Sequence, residues 1–414
     1  MKRGDWMAVP TLRFKAGSGR DYPEWEVKKI IHVSDRINVG FVGTCEDYTD
    51  TSGIRFYRTG NLQTGQLIED DMKYVLKKFH EANKKSQLHK WDILIARHGN
   101  SGNAVLYDSD EEANCSNIVI IRPNLKLVDP KFMVENINSA SVQKQVRRLK
   151  HGSMQVVLNT KVIGNLDVGV PSLPEQQKIA EFLSTVDIVI EKQTEIVLAW
   201  KERKKGVTQK LFRQEVRFRA DDESAFPAWK KKRIDDIAAC FAGATPSTRI
   251  PEYWENGTIR WMNSGEVNNG QIYDTEKRVS QLGFDTCSTK MVKPNTVVLA
   301  LTGQGKTRGM VAITRVPLCT NQALCAIETN DDICDDYLYQ YLQTQYNHLR
   351  RISSGNGRLN LKLVGGYVVP IPCLAEQRKI ADCLSSLDAV IEKQKATLAA
   401  WKQLKIGLSQ QMFV

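Results

Sequence analysis

Residues 170–212 read VPSLPEQQKIAEFLSTVDIVIEKQTEIVLAWKERKKGVTQKLF, and residues 371–413 read IPCLAEQRKIADCLSSLDAVIEKQKATLAAWKQLKIGLSQQMF. The second stretch repeats the first without a gap, and about half of the paired positions are identical. The residues before each copy are far less alike. A chain that keeps one element nearly constant while the rest diverges is laid out as a scaffold carrying two different heads.

Both copies read as helices. In the first, Ile179, Leu183, Val186, Ile190, Gln193, Val197, Trp200, Lys204, Val207 and Leu211 follow in alternating steps of four and three. Ile380, Leu384, Leu387, Ile391, Gln394, Leu398, Trp401, Lys405, Leu408 and Met412 do the same in the second. This is a heptad seam of period about 3.5, which a single surface helix does not need. From Ile179 to Leu211 it extends roughly 48 Å at ~1.5 Å per residue. Gln and Lys interrupt both seams at matching places, which costs stability and fixes register.

Alone, such a helix leaves its apolar stripe wet, so the two copies are expected to pair as an antiparallel coiled coil. Ile190, Gln193, Val197, Trp200, Ile391, Gln394, Leu398 and Trp401 are the candidate pairing residues. Pro174 suits a first helical turn, and Ser172 with Glu175 has capping-box spacing. The second copy has Cys373 and Ala375 there and must be capped differently. Ser184-Thr185 and Ser385-Ser386, weak helix formers, are expected to mark a kink or break.

The duplication extends into the heads. Tyr22-Pro-Glu-Trp25 answers Phe226-Pro-Ala-Trp229, with Ile30 and Ile234 five residues later. Gly53-Ile-Arg-Phe56 answers Thr258-Ile-Arg-Trp261, and Cys115-Ser-Asn117 answers Cys319-Thr-Asn321. The expected order is an N-terminal segment (1–21), head one (22–169), helix (170–212), a charged, flexible or short connector (213–225), head two (226–370) and helix (371–414).

Composition narrows the class. A hydrophobic content of 42% across 414 residues suffices for real cores in two to four domains. The nine cysteines form no CxxC pair and no cysteine–histidine cluster at zinc spacing, and the start MKRGDWMAVP does not read as a signal peptide. Reduced thiols in a cytoplasmic protein are expected. No apolar run approaches the roughly 20 residues of a membrane span. The formal charge is +11, with basic clusters at Lys28-Lys29, Lys84-Lys85, Arg147-Arg148, Lys201 to Lys205, Lys230 to Arg233 and Arg350-Arg351. Such a balance favours polyanionic partners, although each cluster by itself is also an ordinary solvated face.

The heads read as α/β or β-rich, and the whole chain as α+β. Trp91–Ala96, Ile118–Ile121, Thr296–Ala300 and Met310–Thr314 have strand character, while residues 130–149 and 335–351 read as helices. Polar loops follow two of these strands. Arg97, His98 and Asn100 are candidate DNA-binding residues in head one; Thr302, Gln304, Lys306 and Arg308 are their counterparts in head two. Their donors and acceptors match base edges, although they are also ordinary turn residues. Ala300 to Thr307 resembles a relaxed P-loop, but a P-loop lysine opens a helix, and here strand-like residues follow. No amino-methyltransferase motif, nuclease constellation or paired metal-ligand histidines are present, so neither a catalytic nor a metal site is expected.

Glu175-Gln176, Lys178-Ile-Ala180 and their copies Glu376-Gln377, Lys379-Ile-Ala381, each opening a helix after a divergent head, resemble the specificity subunit of type I restriction-modification enzymes. Gly243-Ala-Thr-Pro-Ser247, Tyr253-Trp254 and Asn321-Gln-Ala-Leu324 are similar to segments of that family's target-recognition domains; head one lacks the Thr-Pro-Ser element. The resemblance covers essentially the whole chain. It implies a non-catalytic subunit whose two recognition domains each read half of a bipartite double-stranded DNA site. It also implies two methyltransferase subunits and two restriction/translocase subunits as partners. Those partners would use S-adenosylmethionine, ATP and Mg2+, with no cofactor in this chain. The alternatives from other classes are a protein-binding coiled-coil scaffold and a P-loop nucleotide hydrolase centred on Lys306.

Overall fold

The computed structural model describes residues 10–43, 45, 48–49, 52–63, 65–97, 102–150, 158–303, 306–352 and 359–413. The chain forms two compact units, one of Met1–Glu195 with Lys395–Val414, the other of Ile196–Gln394. Each unit contains one head, the first part of the long helix that follows it and the last part of the other long helix.

In the first unit, Ser34–Val39, Asp92–Ala96, Ala104–Tyr107 and Ile118–Pro123 form an antiparallel sheet in the order 104–107, 92–96, 118–123, 34–39. Its central strands are buried on both faces, which explains the continuous branched runs Asp92–Ala96 and Ile118–Ile121. A second sheet joins Ile54–Tyr57 to Ala113–Cys115 in parallel, with Lys73–Val75 and Gln87–Leu88 antiparallel beside them. Glu26–Lys29 pairs with Asp167–Val170, tying the head's entrance to its exit.

The second unit repeats the plan. Ala238–Ala242, Leu324–Thr329, Val297–Ala300, Val311–Thr314 and Gln271–Ile272 form one sheet. Ile259–Met262 and Leu318–Thr320 are the parallel pair of the other. Lys230–Arg233 pairs with Val368–Ile371.

The helices expected at 130–149 and 335–351 are each two helices. The first head has Pro130–Asn138 and Ala140–Lys150, the second Asp335–Thr344 and Tyr346–Arg351. In head one Ser139 is extended, at φ −61° and ψ 156°. The preceding Asn138 amide is committed to strand Ala104–Tyr107, accepting from Ala104 N at 2.7 Å and donating to Ala104 O at 2.9 Å.

Leu173–Phe212 and Leu374–Met412 are unbroken helices. The hydroxyls of Thr185 and Ser386 turn back onto the carbonyls of Glu181 and Asp382, at 2.9 and 2.8 Å, so they satisfy themselves within the helix and do not end it. In the first unit Ile179 and Leu183 cluster with Leu408, Met412 and Phe413. In the second, Val207 and Leu211 cluster with Ile380, Leu384 and Leu387. The helical segments in each unit therefore run antiparallel. Val197 and Ile391 are buried; Ile190, Gln193, Trp200, Gln394, Leu398 and Trp401 are half-buried.

The capping box expected from Ser172 and Glu175 does not form. The Ser172 hydroxyl has no hydrogen-bond partner among the described residues, and its carbonyl accepts from Glu175 N at 2.9 Å. The fully buried Glu175 carboxylate instead receives Arg13, Nε on Oε1 at 3.0 Å and Nη2 on Oε2 at 2.8 Å. Glu376 receives Arg217 with the same geometry, 3.0 and 2.8 Å. Each arginine also donates to a carbonyl before the head's first tryptophan, Pro23 O at 2.7 Å or Pro227 O at 2.8 Å.

Gln176 and Gln377 repeat one another equally closely. Gln176 accepts from Asp129 N and donates to Leu127 O and Pro171 O. Gln377 accepts from Cys334 N and donates to Asp332 O and Pro372 O. The duplicated Glu-Gln thus locks the segment before each head, the head's own helix and the long helix to one corner. The connector 213–225, expected to be flexible or short, is held through Arg217 and through Lys379, which bonds Arg219 O and Asp221.

Candidate nucleic-acid interface

Strand pairing brings the divergent loops of each head to one end of its sheet. In head two Ala300 pairs with Leu324 and Ala242 with Cys325, and Leu301 N donates to Ala323 O at 2.9 Å. The segments after 242, after 300 and before 324 therefore emerge together. Head one does the same. Val119 pairs with both Val39 and Ile95, Gly40 N donates to Ile118 O at 2.9 Å, and Arg97 N approaches Asn117 O at 3.4 Å.

The second feature at this end is a basic helix. In head two Tyr346–Arg351 carries exposed Arg350 and Arg351. Tyr346 Oη donates to Lys306 O at 2.7 Å, and Arg308 Nη2 donates to Arg350 O at 2.9 Å. Gly309 has φ +83°, and a Cβ there would press on Arg350 N at 3.0 Å, so glycine permits the loop's close approach to the helix. In head one Ala140–Lys150 carries exposed Arg147 and Arg148, and Gln143 Nε2 donates to Gly102 O at 2.7 Å. Gly102 has φ +109°, and a Cβ there would meet Val146 at 2.8 Å. Each head thus leans a strand-end loop on a helix bearing two adjacent arginines.

Among the sequence candidates, Lys306 is exposed, Thr302 and Arg308 are half-buried, and Lys306 and Arg308 share the surface with Arg350. Arg97 is half-buried, and its Nε is shut from solvent with no partner among the described residues. His98, Asn100 and Gln304 lie outside the described residues. The paired arginines were visible in the sequence only as charge; their alliance with the loops depends on contacts between residues about 40 positions apart.

The described part of the loop does not have P-loop geometry. Lys306 and Thr307 open no helix, and the next element is strand Val311–Thr314. Among the described residues no helix follows the lysine whose dipole could hold a nucleotide phosphate.

Gly243-Ala-Thr-Pro-Ser247 and Asn321-Gln-Ala-Leu324, separate in sequence, meet at the same end. Trp261 Nε1 donates to Ala244 O at 3.0 Å and Trp254 Nε1 to Ser247 O at 3.1 Å, with the two indoles edge to face at 5.1 Å. No helix of the described residues is long and apolar enough to cross a membrane.

The family described as type I restriction modification DNA specificity domain matches this chain twice, at residues 23–199 and 228–400. The MjaIX type I restriction enzyme specificity subunit of Methanocaldococcus jannaschii is 32% identical over 211 residues, covering 49% of this chain and 48% of that relative. The putative MjaX specificity subunit of the same organism is 24% identical over 407 residues, 92% of this chain and 90% of the relative. The match to the first thus spans about half of its length, and that to the second nearly all. In fold the chain is similar to the type I restriction-modification S subunit from M. genitalium, with a TM-score of 0.60 at 17% identity over 98% of this chain and 99% of that one. A chain from a structure of the type I restriction-modification system gives 0.58 at 17% identity, over 94% and 98%. The relatives are named as specificity subunits, in accord with a non-catalytic role, and this chain belongs to the type I restriction-modification DNA specificity family.

Proposed function

We propose that the chain supplies the address for a type I restriction-modification assembly, each head reading one half of a bipartite duplex site. The observation that carries this reading is the repeated arrangement of a basic helix and divergent polar loops on one sheet end. Arginines on phosphate would position the duplex, and loop side chains at base edges would discriminate. Two methyltransferase subunits would modify adenine with S-adenosylmethionine, and two restriction/translocase subunits would use ATP and Mg2+. No reaction is assigned to this chain's own residues.

The two uninterrupted long helices would set the spacer between half-sites. Four residues inserted after Gln193 advance a helix by about 6 Å and should lengthen the spacer while leaving both half-sites unchanged. Mapping methylated adenines genome-wide, with and without this gene, tests the reading directly. One bipartite motif should lose methylation when the gene is absent. An unchanged methylome, with no salt-dependent duplex binding by the assembled complex, would refute it and favour a protein-binding scaffold.

A further inference from the structure

Head two holds a polar pair that is both exposed and rigidly mounted. Thr245 Oγ1 donates to Gln322 Oε1 at 2.6 Å, and both residues are exposed. The segment under Thr245 is fixed at each end by the Trp261 and Trp254 indole bonds, and Pro246 between them is buried. Gly243 lies so close to Thr320 that a Cβ would collide with its carbonyl. The segment under Gln322 is held too: Asn321 N donates to Met262 O at 3.1 Å, and Ala323 N to the Asn321 side chain at 3.1 Å.

Exposed polar side chains on a surface usually keep rotamer freedom, and ordering them on binding is costly. Here that freedom is restricted before any partner arrives. The Thr245 hydroxyl occupies one lone pair of the Gln322 carbonyl oxygen. The other lone pair remains available, and Nε2 makes no hydrogen bond to the described residues. One donor and one acceptor are thus presented side by side, the pattern that matches N7 and N6 of adenine in the major groove.

Building on the DNA-reading function proposed above, we infer that Gln322, oriented by Thr245, is a specificity-determining residue of head two and contacts an adenine edge in its half-site. Head one has the same glycine approach at Gly40 against Cys115. There Phe41 follows and packs on Phe79, at 5.1 Å between ring centroids, in place of the Thr-Pro-Ser segment. Among the described residues the device is present in head two only.

The test uses the full chain assembled with its methyltransferase subunits, first on genomic DNA to define the motif, then on duplexes carrying every single-base change. Gln322→Ala should relax discrimination at one position of one half-site by roughly 5- to 150-fold. Thr245→Val, which leaves the glutamine but frees its rotamer, should relax the same position less. Gln322→Glu should move the preference at that position toward cytosine, whose N4 donates to a carboxylate; a merely structural glutamine would not change which base is preferred. If the wild-type complex discriminates and all three variants keep its preferences, this inference is wrong while the DNA-reading function stands. If the wild-type complex shows no sequence preference, both fall.

Discussion

The corner where each long helix begins and the loop end of each head are duplicated together, yet they have diverged very differently. At the corner, Arg13 on Glu175 and Arg217 on Glu376 agree to the tenth of an ångström, and Gln176 and Gln377 bond equivalent groups. At the loop end the strands correspond, but among the described residues Thr245, Trp254 and Gln322 of head two have no counterpart device in head one. A buried carboxylate tolerates no drift, because a lost partner leaves a charge without compensation. An exposed loop between fixed strands can change without disturbing the core. Under the proposed function, the difference separates what holds the molecule from what would distinguish one target from another.

Replacing a whole head breaks or sustains this division most visibly. Exchanging residues 22–169 for the head of a related specificity subunit, with Arg13 retained, should change one half-site and leave the other intact. A folded, assembled chimera that loses both halves on methylome mapping would show that the heads do not read independently.

At the corner, Arg13→Ala should cost about 3–5 kcal/mol in chemical denaturation, since Glu175 stays fully buried without its guanidinium. Arg217→Ala should cost about 1–2 kcal/mol less, because Glu376 keeps a second donor, Trp229 Nε1 at 2.9 Å. Trp25 Nε1, its counterpart, has no partner among the described residues. Equal losses for the two arginines would remove the tryptophan from the account, and adding Trp229→Phe to Arg217→Ala should restore equality.

The loop end should respond more gently. Lys306 is exposed, and among the described residues only its carbonyl is engaged, by Tyr346. Lys306→Ala should weaken binding about equally across all duplexes and reduce the salt slope by about 1. A changed base preference would instead make Lys306 a reader of bases.

The smallest effect concerns a pair of residues in which the units differ. Lys405 bonds Glu135 at 2.9 Å and Asp187 at 2.8 Å, whereas Lys204 bonds Asp388, to which Gln340 donates at 2.9 Å. Burial raises the Glu135 pKa, partly offset by Lys405. A raised carboxyl binds its proton more tightly in the folded state, so its stabilising contribution is present below the ordinary value of 4.5 and is lost as pH rises through the folded value. Glu135→Gln, which copies head two, should change stability by less than about 1 kcal/mol at neutral pH, because Lys405 retains Asp187. It should also flatten that acid-side slope in denaturation curves. An unchanged slope would place the titration elsewhere.

The heptad seams were legible because helical periodicity depends only on spacing along the chain, and the duplication because one frame must satisfy one set of bonds twice. Strands such as Asp92–Ala96 and Val297–Ala300 were legible from their branched runs. Ser172 and Glu175 show where local reasoning ended: the spacing fits a capping box, but Arg13, far away in sequence, offers the carboxylate a charged partner and wins. The same limit applied to Ser184-Thr185 and Ser385-Ser386, where the Thr185 and Ser386 hydroxyls found carbonyls one turn back, and to Thr245 and Gln322, whose meeting depends on strand pairing across the sheet. Sequence alone determined the repeat, the long helices and the family resemblance, since these rest on periodicity and on identical words. Only the tertiary structure decided which polar groups are buried and paired and which face solvent in a set geometry, because that depends on contacts between residues distant along the chain.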